Sequence, residues 1–126
     1  MLGHFQQTIL RIEVDASVLE IGQSLLEPAQ LQQWLWPQHL SAPLPARLQT
    51  GTSFKSWVGP IKILHSVELA EATQIRIKLN QGVDGFHEWL WGEGWVQSRL
   101  EGISLLPLSL SQTLGLLRLR QFLHSQ

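Results

Sequence analysis

A chain of 126 residues with 44% hydrophobic and 15% charged content can bury one sizeable core, and residues 1–126 read as a single domain. Its formal net charge of -1 provides no positive field to collect nucleic acid, and the absence of cysteine excludes disulfides, thiolate metal sites and a cysteine nucleophile. No apolar run approaches the ~20 residues that span a bilayer, and the N-terminus lacks signal-peptide organisation, so the expectation is a cytoplasmic protein with no integral membrane segment.

From Phe5 to Val14 the residues alternate, with Leu10, Ile12 and Val14 on one face and Arg11 and Glu13 on the other, the period-two pattern of a half-buried strand. Asp15 or Ser17 then supplies a helix N-cap ahead of Val18, Leu19, Ile21, Leu25 and Leu26. A second short helix follows Pro28, with Leu31, Trp34 and Leu35 on one side. The segment WPQHLSAPLPARLQTG holds three of the six prolines and is predicted to be an extended connector. Five short strand-like runs come next: TSFKSWV, PIKILHSVEL, TQIRIKLN, GFHEWLW and WVQSRLEGISL. Turns at Gly59-Pro60, Glu71-Ala72, Gly82 to Gly85 and Gly92 to Gly94 separate them, which predicts an antiparallel meander. Beyond Pro107, Ser109 or Ser111 is expected to cap a terminal helix running to about Leu123. At ~1.5 Å per residue, such a helix is roughly 21 Å long, enough to cross a small sheet.

This order of elements is that of an α+β helix-grip fold: a curved antiparallel sheet, two short helices after the first strand, and a long C-terminal helix across the sheet. It resembles the START-like (SRPBCC) superfamily, which includes START domains, the major birch pollen allergen and aromatic polyketide cyclases. Local echoes are the stretch Trp34 to Pro37 and LQTGTSF at the opening of the meander. The resemblance implies a cavity between sheet and helix that takes an apolar small molecule or lipid. The terminal helix is short for the family, and the glycine-rich loop of the pollen-allergen branch is reduced to Gly51, so a smaller cavity, or none, is also consistent. No catalytic residue carries over by position.

The residues themselves suggest where such a site would lie. Alternation places His65 on one face with Ile61, Ile63, Val67 and Leu69, either as a core histidine or as a donor, acid or base in a cavity. His87, Trp89 and Trp91 share one face of the next-to-last strand, and Phe86, Glu88 and Leu90 the other. An inward face of that kind combines aromatic surface with a titratable group, as a small-molecule pocket does. Trp57 is a further aromatic candidate. Gln97, Arg99 and Glu101 alternate with Val96, Ser98 and Leu100, and their polar face is expected outward.

The terminal helix carries two leucine stripes. Leu110, Leu114 and Leu117 are taken as the one that lines the site, and Leu116, Leu119, Phe122 and Leu123 form the other. The remaining stripe offers a surface for a homodimer. The five histidines fall in separate segments without HxH or HExxH spacing, so neither metal nor cofactor is expected. GxSxG and phosphate-loop patterns are also missing. Three functions remain in view: a non-catalytic binder of an apolar molecule, a cyclase- or dehydratase-like enzyme using a cavity histidine or carboxylate, and an interaction module with a packed interior.

Overall fold

The structure, a computed structural model, describes residues 3–35, 38–41 and 43–126. The sequence echo from Trp34 to Pro37 therefore falls partly outside the described residues, at Trp36 and Pro37.

Ten elements follow one another: β1 (His4–Glu13), α1 (Val18–Leu26), α2 (Pro28–Trp34), β2 (Gln38–Leu40), β3 (Ser53–Val58), β4 (Ile61–Ala70), β5 (Gln74–Gln81), β6 (Val83–Gly92), β7 (Trp95–Ser104) and α3 (Leu108–His124). The strands form one antiparallel sheet in the order β1-β7-β6-β5-β4-β3-β2, with α3 packed against β1 and β7 and α1 against β6. This is the α+β helix-grip architecture that the order of elements predicts.

Local chemistry explains the early helices. The Ser17 side chain accepts from the Glu20 N–H while Glu20 accepts from the Ser17 N–H, a reciprocal capping box worth about 1 kcal/mol. Pro28 opens α2 at a position where its missing N–H costs nothing. The segment expected to be an extended connector contains β2, which pairs with β3 through Gln38 to Leu40. A three-residue edge strand is compatible with flanking prolines because only one side of it bonds to the sheet.

Two further boundaries differ from expectation. The turn predicted from Gly82 to Gly85 is tighter, with Gln81 taking a positive φ of 72° and β6 starting at Val83. Gly85 lies inside β6, directly opposite Gly102 of β7. A β-carbon on Gly85 would sit 1.9 Å from the Glu101 carbonyl oxygen, and one on Gly102 would sit 2.7 Å from that of Asp84. The two backbones approach there as only glycine allows, which bends the sheet into a trough. Helix α3 is not capped by Ser109 or Ser111. It begins at Leu108 after Pro107, and the Leu108 N–H donates to Gln6 Oε1 at 2.9 Å, so a side chain from β1 takes the place of a local cap.

On the convex face, Phe86 lies between the guanidinium groups of Arg76 and Arg99, at 4.1 and 5.3 Å from its ring centre, and Arg76 pairs with Glu68 and Glu88. The polar face of β7 is thus outward, as expected. Val96, Ser98 and Leu100 point into the concave core.

Candidate functional site

Between the concave face and the first turns of α3 lies a cavity of about 110 Å³. Its floor is formed by Ile63 and His65 of β4, Leu79 of β5, Val83, His87 and Trp89 of β6 and Leu100 of β7. Trp34 closes one wall, and Leu108, Gln112 and Gly115 of α3 form the roof. Half-exposed Leu35 and Leu106 and exposed Ser111 mark the rim. No Asp, Glu, Lys or Arg lines it among the described residues.

The cavity brings together three of the predicted site residues: His65, His87 and Trp89. The others lie elsewhere. Trp91 shares the inward face but is buried farther along β6, where its indole meets Gly22 of α1; a β-carbon on Gly22 would lie 3.3 Å from Trp91 Nε1. Trp57 is on the convex side, 39% exposed, with its Nε1–H donating to Ser41 Oγ. Leu110, Leu114 and Leu117 face solvent at 56%, 38% and 46% exposure. The gripping face of α3 is the other one, Leu108, Gln112, Leu116, Leu119 and Leu123. Gln112 interrupts that face, and Thr8 and Ser98 of the sheet satisfy its amide, so the face packs inward despite it.

His65 stacks on Phe54 of β3 with ring centres 4.4 Å apart and planes 9° from parallel. Its Nε2 lies 2.7 Å from Ser56 Oγ and 3.3 Å from Gln38 Nε2, and Gln38 also hydrogen bonds Ser56 Oγ. Burial pushes the His65 pKa down from 6.5 to about 4. Its Nδ1 is sealed from solvent with no partner among the described residues.

His87 repeats the arrangement two strands away, roughly 10 Å across the sheet. Its Nε2 lies 2.7 Å from Ser98 Oγ, and its ring rests against Trp89 at 4.6 Å. Its side chain is half-buried and lines the cavity. Burial, with a smaller contribution from charge repulsion by His65, pushes its pKa down to about 3. Both imidazoles are therefore neutral at physiological pH. Trp34 meets Trp89 edge-on at 5.9 Å and donates its Nε1–H to the Ser24 carbonyl, which fixes the aromatic wall.

Sequence reasoning missed Gln38, Ser56, Ser98 and Gln112. Ser56 and Ser98 were findable, since each sits at an inward position of its strand flanked by apolar inward neighbours: Phe54 for Ser56, and Val96 and Leu100 for Ser98. Among the described residues, no cluster of three histidine or acidic side chains could hold a metal ion, and no helix is long and apolar enough to cross a membrane.

No protein-family model matches the chain, and no curated protein matches it by sequence. Solved structures do. Protein CV1439 from Chromobacterium violaceum is 17% identical with a TM-score of 0.74, covering 93% of this chain and 96% of that one. The Aha1 dimer from Colwellia psychrerythraea is 17% identical with a TM-score of 0.67, covering 94% of this chain and 96% of that one. DynU16, from the dynemicin biosynthetic locus, is 19% identical with a TM-score of 0.69. The match covers 94% of this chain but 47% of DynU16. The chain has the helix-grip fold of the START-like (SRPBCC) proteins.

Proposed function

We propose that the protein is a non-catalytic binder of a compact, neutral, mostly apolar molecule held between the concave sheet and α3. The observation that carries this reading is the lining of the cavity: aromatic and aliphatic walls, a few polar side chains and, among the described residues, no charged one. About 110 Å³ is somewhat below the ~150 Å³ of an engineered cavity that takes benzene, so the occupant is one small ring or a short acyl segment rather than a whole membrane lipid.

Two features weigh against a cyclase or dehydratase. The hydroxyls of Ser56 and Ser98 belong to fully enclosed residues and cannot reach a substrate. Histidines held neutral to about pH 4 and 3 are poorly matched to proton transfer near neutrality, and among the described residues no cavity carboxylate complements them. A second reading, self-association through α3, is supported by its exposed leucines and by the dimeric state named for the Colwellia Aha1 structure. Sedimentation of the wild type and a Leu110→Gln/Leu114→Gln variant tests it. A monomer in both excludes it.

The binding reading is tested by native mass spectrometry of the protein purified from cells, together with toluene titration read by the emission of Trp34 and Trp89. A stoichiometric apolar adduct, or a saturable change in emission, is expected. A bare protein with unresponsive tryptophans sinks the proposal.

A further inference from the structure

We propose that Gln112 is a positioning residue that fixes His87 in its Nδ1–H form, so that the cavity presents a hydrogen-bond donor and selects neutral ligands bearing an acceptor oxygen such as a carbonyl. This rests on the binding reading above and adds the polar group that the ligand carries.

The argument follows the chain of hydrogen bonds inward from the backbone. Gln112 Nε2 lies 2.9 Å from the Ser98 carbonyl oxygen and 3.3 Å from that of Thr8, while Gln112 Oε1 accepts from Thr8 Oγ1 at 2.9 Å. Carbonyl oxygens only accept, so the nitrogen end of the amide is the one facing them. The same Nε2 is 3.0 Å from Ser98 Oγ, which accordingly acts as an acceptor toward it. Ser98 Oγ has one other partner among the described residues, His87 Nε2 at 2.7 Å. The hydroxyl hydrogen goes there, and Nε2 receives it on its lone pair. A neutral imidazole carries a single N–H, which then belongs to Nδ1.

Nδ1 of His87 has no hydrogen-bond partner among the described residues. Nor is it one of the sealed unpaired atoms, which are His65 Nδ1, Trp91 Nε1 and Arg99 Nε. It opens onto accessible space, and the side chain lines the cavity. A donor left unpaired in an apolar cavity is a standing preference for an acceptor: a carbonyl, ether or phenolic oxygen satisfies it and a hydrocarbon leaves it unpaired. A carboxylate is disfavoured because, among the described residues, no cation lines the cavity to offset its desolvation.

Nitrogen-15 NMR of the imidazoles reads the tautomer directly. At neutral pH the wild type is expected to show His87 as the Nδ1–H form, and Gln112→Met, similar in length but without a donor, to shift it toward Nε2–H. A merely structural role for Gln112 would lower the unfolding midpoint and leave the tautomer alone. Wild-type His87 in the Nε2–H form overturns the proposal without recourse to any variant. For the ligand, benzaldehyde is expected to bind about fivefold more tightly than toluene, the gap closing in Gln112→Met, with benzoate not binding. Equal affinity of the two neutral rings overturns the donor inference while leaving the binding reading intact. No binding by either ring overturns the binding reading itself and with it the ligand preference, while the tautomer is still decided by NMR.

Discussion

The two ends of the concave face are built from the same strands and differ in what crosses the gap above them. At one end the notch left by Gly22 of α1 receives the Trp91 indole, and Ile21, Leu25, Ile75 and Val96 are all buried, so the space is filled. At the other, His65, His87, Leu79 and Leu100 look up at Gln112 and Gly115 of α3, and a hollow remains. Hollowness here is a local property. It arises where, beyond Leu108, the overlying helix contributes a glycine and an amide that is held down by the sheet.

The contrast can be broken most forcefully at its packed end. Trp91→Ala is expected to cost about 3–5 kcal/mol in urea unfolding, and Leu100→Ala, which already borders empty space, about 2 kcal/mol. Equal losses would mean that the two ends are packed alike.

Acid acts on the hollow end. Both histidines have folded pKa values depressed below 6.5, so the unfolded chain binds protons more readily. Stability is full above about pH 6.5 and falls as pH drops toward 4 and then 3, by on the order of a few kcal/mol in total. His87→Leu is expected to flatten that acid limb in denaturation curves taken at several pH values. An unchanged slope would mean that His87 is not held neutral.

The smallest effect sharpens the comparison most. Gly115→Ala adds a methyl whose nearest neighbour is Trp34 Cζ3 at 4.0 Å, and it removes a glycine from a helix interior. It is expected to stabilise the fold by about 0.5–1 kcal/mol while weakening toluene binding, an opposition of sign that thermal melts and emission titrations would show together.

Much of this was legible in the sequence, because alternation and capping act locally. The strands other than β2, an N-cap at Asp15 or Ser17, the Pro28 start and the shared face of His87 and Trp89 all follow from near neighbours. What alternation cannot give is depth along a strand: Trp91 obeys the same period as Trp89 yet lies under α1 rather than in the cavity. Trp57 was readable as outward, since it shares a face with Lys55 and opposes Phe54 and Ser56. The orientation of α3 was not readable, for each of its two stripes carries three leucines. The stripe interrupted by Gln112 packs inward because Thr8 and Ser98, about a hundred residues earlier and fourteen earlier respectively, satisfy that amide.

The clip between Gln6 and the first turn of α3 has a consequence for how the cavity comes into being. It joins residues 102 apart, and the Thr8–Gln112 and Asp15–His124 bonds join residues 104 and 109 apart. Closing contacts of such separation carries a large entropic cost before it is rewarded, which places this topology among the slower folders. The strands between can pair in sequence without β1, and Ser98 of β7 can already hold Gln112, but the Gln6 and Thr8 anchors of the roof form only when the first strand and the last helix meet. A partly folded chain in which those two segments have not yet met would lack the Gln6 and Thr8 anchors of the cavity roof.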